Sequence, residues 1–86
     1  MKTEYFISKL KEQKSKLDVS ELEVWLKTTY AFIEEYFGAI SSRTQNFKSV
    51  INDFTTGKIL GFSDGAIKNY KLQALEYIDE IYYLFK

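Results

Sequence analysis

The chain has 86 residues, 45% hydrophobic and 17% aromatic, which is enough for one folded domain with one core and too short for two. Twelve basic and twelve acidic residues cancel, so no net field gathers nucleic acid or an anionic membrane. Cysteine and histidine are absent, which excludes disulfides, thiol nucleophiles, Cys/His zinc sites and histidine-based catalysis.

The N-terminal segment MKTEYFISKLKEQK carries charges throughout and lacks the apolar run of a signal peptide. No window of the sequence approaches the roughly 20 apolar residues that cross a bilayer. We therefore expect a cytoplasmic protein without a membrane partner, folded as a single helical domain over residues 1–86.

The first predicted helix covers residues 3–17. Thr3 is a candidate N-cap, and Phe6, Leu10 and Leu17 form a thin apolar edge on a segment rich in lysine and glutamate. This composition is typical of a surface helix that a few side chains hold against the rest of the domain.

The second predicted helix covers residues 20–37. Ser20 and Glu23 fit a capping box, and Gly38 follows the helix as expected of a left-handed C-cap. Its apolar face repeats at helical spacing. That face contains Leu22, Trp25, Leu26, Tyr30, Ile33 and Phe37.

The third and fourth predicted helices cover residues 42–56 and 64–85. Ser42 with Gln45 offers another capping box for the third helix, and Ser63 or Asp64 is the expected N-cap of the fourth. The expected buried stripe of the last helix is Ile67, Tyr70, Ala74, Tyr77, Ile81 and Leu84. With no proline and no sustained strand-like alternation, the chain predicts an all-α bundle of four helices.

The last helix also carries apolar residues away from its main stripe. Leu72, Leu75 and Tyr82 lie on a different face, and Tyr83 lies off the stripe as well. A helix that is apolar on more than one side is either packed between neighbours or partly exposed as an association surface. These four residues are therefore the predicted anchors for a protein partner or a second copy.

Carboxylate pairs are the only candidates for catalysis or metal binding. Glu34 and Glu35 are adjacent, as are Asp79 and Glu80, so the members of each pair point about 100° apart on a helix. Glu76 and Glu80 share a face, and Asp79 is the one further acid near them in the sequence. No nucleotide-binding, hydrolase or metalloprotease motif occurs. We expect no enzymatic activity, no cofactor and no metal.

Residues 56–78 resemble the helix-turn-helix of bacterial regulators and sigma-type proteins. The resemblance lies in Leu60-Gly61-Phe62-Ser63 as the turn and Ala66-Ile67-Lys68-Asn69-Tyr70 as the start of the second helix. It departs from the motif at Thr56 and Gly57, where an apolar residue and alanine are usual. The resemblance implies a helix in the major groove. The implied DNA contacts are Ser63, Lys68, Asn69 and Lys71, with Lys58 on the backbone.

A second resemblance spans most of the chain. Glu23-x-Trp25, Phe32-Ile33-Glu34-Glu35-Tyr36-Phe37-Gly38, Ser41-Ser42 and Phe47 are similar to a small helical module at the N-terminus of many bacterial phage-defence and mobile-element proteins. Such modules commonly precede an effector domain, and the resemblance implies an accessory or interaction role without catalysis. No effector follows within these 86 residues, which leaves open a stand-alone relative or an excised domain.

The function expected from the sequence is a non-enzymatic protein-interaction module that associates through its C-terminal helix. The alternative is a DNA-binding regulator that uses residues 56–78, although zero net charge disfavours it.

Overall fold

The computed structural model describes residues 1–85 and contains four α-helices. They are α1 (Thr3–Lys16), α2 (Leu22–Phe37), α3 (Ser42–Leu60) and α4 (Ala66–Tyr83). No strand occurs between residues 1 and 85. The predicted all-α fold with four helices is confirmed, and α3 continues to Leu60 instead of ending at residue 56.

Successive helices run in opposite directions. Phe6 of α1 stacks on Tyr36 near the end of α2, whereas Gln13 bonds to Thr29 in the middle of α2. Lys58 near the end of α3 pairs with Glu23 at the start of α2. Helices α3 and α4 are antiparallel too, as shown below, so the chain forms an up-and-down bundle in which short links join neighbouring helices.

One apolar cluster fills the space between the four helices. Trp25, Phe6 and Phe47 are its largest fully buried side chains. The remaining members are Leu10, Leu17, Leu22, Leu26, Ile33, Val50, Phe54, Ala74, Ile78 and Ile81. The aromatic-rich core that the composition predicts is therefore shared by all four helices.

Two polar side chains, Gln13 and Thr29, are also buried between α1 and α2. The amide of Gln13 donates to the hydroxyl of Thr29 at 3.0 Å, which satisfies both groups away from water. The backbone carbonyl of Gln13 accepts from Trp25 Nε1 at 2.6 Å. Because Leu17 N–H donates to Lys14 instead, this indole bond satisfies one of the last carbonyls of α1.

The predicted caps of α1 and α2 are wrong by one residue. Lys2 is the N-cap of α1 and Thr3 already belongs to the helix, where its hydroxyl bonds to Tyr36 at 2.6 Å. Glu21 caps α2, and its carboxylate accepts from two backbone N–H groups of the first turn. Ser20 precedes this cap, and its backbone N–H donates to the carbonyl of Lys16 in the turn that ends α1.

The caps at the other helix ends also differ from expectation. Gly38 ends α2 with φ +88° and ψ 157°. Its positive φ agrees with the predicted cap, but its conformation is extended instead of left-handed helical. Ser41, not Ser42, caps α3, and Gln45 donates to the carbonyl of Ala39 in the link. The N-cap of α4 is Gly65, whereas neither Ser63 nor Asp64 provides a side-chain cap.

The buried stripe of α4 is partly shifted from the predicted one. Ala74 and Ile81 are buried as expected, but Ile67 and Leu84 are exposed. Ala66 and Ile78 are buried in their place. Ile67 and Leu84 stand at the two ends of α4, where the neighbouring helices no longer cover that side. Helical spacing fixes the angle of a side chain but not how far the neighbours reach.

Candidate interaction surfaces

Helices α3 and α4 form an antiparallel αα-hairpin. The hydroxyl of Tyr70 donates to the carbonyl of Asp53 at 3.2 Å, and Arg43 approaches Glu80 at 3.9 Å. Ten residues separate the two contacts on each helix, which corresponds to about 15 Å of helix. The turn between the helices covers residues 61–65.

Three aromatic rings lock the end of the hairpin where the turn lies. The ring centroids of Phe54 and Phe62 are 5.3 Å apart, and Tyr70 lies 5.8 Å from Phe54 and 6.1 Å from Phe62. Gly57 lies directly beneath this cluster, where a β-carbon would sit 2.7 Å from Tyr70 Oη and 2.9 Å from Phe62 Cδ1. Gly57 is one of the two residues that depart from the helix-turn-helix pattern. In the structure, the absence of a side chain at this position makes room for the two rings.

Substitution of Gly57→Ala tests this close approach. Alanine stabilises a helix interior by about 1 kcal/mol relative to glycine, but here its methyl group collides with Tyr70 and Phe62. We expect a net loss of about 1 kcal/mol in chemical unfolding. In a Phe62→Ala/Tyr70→Phe background the nearest atoms are gone, so the same change should stabilise the protein by about 1 kcal/mol. An equal effect in both backgrounds would contradict the packing role of Gly57.

The turn exposes four large apolar side chains, Ile59, Leu60, Phe62 and Ile67, which we call the α3–α4 corner. Ile59 and Leu60 are 78% and 79% exposed, and Phe62 and Ile67 are 41% and 37% exposed. All four lie within nine consecutive residues, which cover the end of α3, the turn and the start of α4. Single exposed apolar residues are ordinary on a protein surface, whereas a contiguous group marks a contact site.

The four predicted partner-binding residues divide into two pairs. Leu75 and Tyr82 are partly buried and pack against the core. Leu72 and Tyr83 are 49% and 73% exposed on the outer side of α4, where they are separated by about 16 Å of helix. The four residues therefore form no continuous patch, and only Leu72 and Tyr83 stay well placed to contact a partner.

Tyr82 has a feature that the sequence did not suggest. Its hydroxyl is buried and has no hydrogen-bond partner among the described residues. Burial raises the pKa of Tyr82, and the neighbouring charge of Asp79 raises it further. Lys14 lies above the ring at 5.7 Å from its centroid and bonds to Asp79 at 3.0 Å, so this side of Tyr82 faces α1.

Replacing Tyr82→Phe should stabilise the fold at neutral pH. An unsatisfied buried hydroxyl costs about 1 kcal/mol or more, and phenylalanine keeps the ring contacts while removing that cost. Because the folded state raises the pKa of this phenol, the wild type also loses stability as pH rises above the unfolded value of about 10. Urea unfolding at pH 7 and at about pH 10.5 should show an advantage of the variant that grows with pH. A variant less stable than wild type at pH 7 would contradict this account.

The predicted DNA-contacting residues lie around the same corner. Lys58 is engaged in the bundle, since its ammonium bonds to both carboxylate oxygens of Glu23 at 3.1 and 2.7 Å. These hydrogen bonds hold the pKa of Glu23 below its usual value. Ser63, Lys68 and Asn69 are exposed and Lys71 is half-buried.

The hairpin geometry differs from that of a DNA-binding helix-turn-helix, whose two helices cross at about 90–120°. Here the contacts between Tyr70 and Asp53 and between Arg43 and Glu80 hold α3 and α4 side by side. The resemblance to a DNA-binding motif is thus present in the residue types and absent from the helix arrangement.

The carboxylates of α4 border an open pocket of about 430 Å³. Its lining consists of Arg43, Glu76, Asp79, Glu80 and Tyr83. Asp79 and Glu80 face Lys14 and Arg43 respectively. Among the described residues, no three acidic side chains are placed to hold one metal ion.

Within residues 1–85, none of the helices combines the length and the apolar character that crossing a membrane requires. Comparison with protein-family models, with curated proteins and with solved structures gives no match to this chain. The four-helix fold and its exposed surfaces are therefore the observations from which a function can be argued.

Proposed function

We propose that this protein is a non-enzymatic helical module that associates with another protein through the α3–α4 hairpin. The observation that carries the proposal is the α3–α4 corner, where Ile59 and Leu60 are almost fully exposed next to Phe62 and Ile67. Six of the twelve exposed large apolar side chains among residues 1–85 fall within the hairpin. Leu72 and Tyr83 of α4 complete that set, and Leu84 directly follows α4.

The corner has the composition of an interface centre more than of a solvated turn. Interfaces are enriched in aromatic and large apolar residues at the centre and polar at the rim. Lys58 and Lys68 flank the corner on either side in the sequence. Because the aromatic cluster over Gly57 holds the turn in place, the corner is presented on a rigid support and loses little entropy on binding.

The test compares the wild type with Ile59→Ser/Leu60→Ser. Neither side chain belongs to the core cluster, so the variant should remain folded by circular dichroism. The wild type should enter a complex larger than its own 10.1 kDa, either in purified form or in native extract followed by cross-linking, and the variant should not. Val24→Ser, which removes an exposed apolar residue from α2, is the matched control and should bind as the wild type does. A wild type that is monomeric in both settings contradicts the proposal.

The accessory role implied by the sequence resemblance is the natural context of such a module. We propose that the module acts beside an effector encoded next to it. A neighbouring nuclease or conjugation gene would support this context, whereas a divergent promoter would favour a regulator.

DNA binding is the rival function, supported by the exposure of Lys68 and Asn69 at the start of α4. It predicts duplex retention that weakens with salt, and a further loss in Lys68→Glu and Lys71→Glu. The apolar corner beside these lysines fits a phosphate backbone poorly, so we rank it second. No detectable retention at low salt would remove it.

A further inference from the structure

We infer that the partner of α4 is a second copy of the same chain, packed antiparallel to the first. This dimer rests on the proposed association function and names its partner. The relevant surface is a row of four exposed residues spaced four apart, Lys68, Leu72, Glu76 and Glu80, which we call the exposed ridge of α4. Such rows form continuous ridges on a helix and pack into grooves of another helix.

The exposed ridge is basic at one end and acidic at the other. Lys68 and Lys71 lie in the N-terminal half of α4, and Glu76, Asp79 and Glu80 lie in the C-terminal half. No ion pair within residues 1–85 involves Lys68, Lys71 or Glu76. Arg43 approaches Glu80 only to 3.9 Å, which is the limit of an ion pair. Asp79 is paired with Lys14 at 3.0 Å, so of these charges the ones left unmatched among residues 1–85 are Lys68, Lys71 and Glu76.

This order of charges is opposite to the one that a single helix favours. A helix is stabilised by acidic residues in its first turn and basic residues in its last turn. Helix α1 follows this rule, with Glu4 at its start and Lys14 and Lys16 at its end. Helix α4 has no acid in its first turn and no base in its last. Glu76 and Glu80 also repel each other at four-residue spacing.

An antiparallel second copy reduces both conflicts by giving Glu80 an opposite charge. A two-fold axis at the level of residue 74 places Lys68 of each copy beside Glu80 of the other and Leu72 beside Glu76, because these pairs are equidistant from that level. The acidic half of one α4 then lies next to the positive end of the other helix. In a parallel pair, by contrast, lysine would face lysine and glutamate would face glutamate.

Tyr83 lies on the same side of α4 as the exposed ridge and is 73% exposed, and the same axis brings it to the level of residue 65 of the other copy. The zero net charge of the chain adds no long-range repulsion between copies. Helix α4 has 18 residues and is about 27 Å long, so the interface is small and the dimer is transient.

Sedimentation equilibrium on the full chain tests the dimer with two charge reversals, Lys68→Glu and Glu80→Lys. Each reversal creates two repulsive pairs per dimer and should weaken self-association about tenfold. An equimolar mixture of the two variants should recover wild-type affinity, because every reversed residue then faces an opposite charge. Lys11→Glu on α1 and Glu35→Lys on α2 make the same charge changes on other exposed surfaces and should leave the affinity unchanged.

Disulfide trapping tests the direction, since the chain has no cysteine of its own. Residue 68 of one copy lies about 18 Å along the axis from residue 68 of the other in the antiparallel dimer, so neither Lys68→Cys nor Glu80→Cys should cross-link alone. The two variants mixed should form a disulfide dimer. A wild type that stays monomeric at about 1 mM overturns the dimer, as do charge reversals without effect or cross-linking of either variant alone. The proposed function is tested separately. If the wild type forms a complex with a different protein and Ile59→Ser/Leu60→Ser abolishes that complex, the proposed function stands and only the second copy as partner is overturned.

Discussion

Trp25→Ala should leave the protein largely unfolded at 37 °C. The side chain is 1% exposed and lies beside Phe47, with ring centroids 6.4 Å apart, at the centre of the core cluster. Removing a buried tryptophan costs about 3–5 kcal/mol, whereas a domain of this length has roughly 4–13 kcal/mol in total. The loss includes the indole bond to the carbonyl of Gln13, so the end of α1 loses its support as well.

Thermal unfolding followed by far-ultraviolet circular dichroism measures this effect, because the variant has no tryptophan left for fluorescence. For a chain of this size each lost kcal/mol lowers Tm by about 4–8 °C, which predicts a decrease of roughly 12–40 °C. Trp25→Phe keeps an aromatic ring but not the N–H donor, and should lose about 1–3 kcal/mol. Val24→Ala, one residue away and exposed, should change stability by less than about 0.5 kcal/mol. Equal losses in Trp25→Phe and Val24→Ala would show that the indole bond contributes nothing.

Phe6→Ala should detach α1 from the bundle. Phe6 is fully buried and stacks on Tyr36 with ring centroids 4.2 Å apart and planes 6° apart, and its edge meets Phe37 at 5.6 Å. The expected cost is about 3–5 kcal/mol, of which about 1 kcal/mol belongs to the aromatic pairs. The other anchors of α1, Leu10 and Gln13, lie farther along the helix, so much of this cost should appear as local opening of the N-terminal half of α1.

Hydrogen exchange of α1 amides, combined with urea unfolding followed by Trp25 fluorescence, measures the loss. Tyr36→Phe keeps the stacked ring and removes only the hydroxyl bond to Thr3, so it should cost about 1 kcal/mol or less. Tyr5→Ala, an exposed aromatic on the same helix, is the matched control and should be nearly neutral. A loss below about 1 kcal/mol in Phe6→Ala would contradict the anchoring role of Phe6.

The helices could be predicted because their signals are local. Leu22, Trp25 and Ile33 recur on one side of α2 and are all buried, so helical spacing was enough to identify that face. Caps were less predictable, since Ser20, Glu21, Ser41 and Ser42 all have side chains that cap helices. Which of them does so depends on where the helix begins, and for α2 it is the carboxylate of Glu21 that accepts from the N–H groups of Glu23 and Val24.

The association surface was only half visible in the sequence. Leu72 and Tyr83 were expected to be exposed and are, but Tyr82 and Leu75 face the core because α1 lies on that side of α4. The α3–α4 corner was missed because the third helix was predicted to end at residue 56. This prediction left Ile59 and Leu60 between helices, in a segment without the periodicity that separates buried from exposed positions. An apolar run directly after Lys58 with no helical partner was the available signal.

The sequence by itself determined the number of helices, their approximate bounds and the aromatic character of the core, because these depend on residue spacing and composition. The tertiary structure decided the pairing of Lys58 with Glu23, the bond from Trp25 to Gln13 and the rings over Gly57. Each of these contacts joins residues of different helices, or of a helix and the turn that follows it. The spacing of residues within one helix contains no information about such contacts. The exposed ridge depends on both the sequence and the tertiary structure. The order of its charges can be read from the sequence, whereas the exposure of its residues follows from the packing of α4.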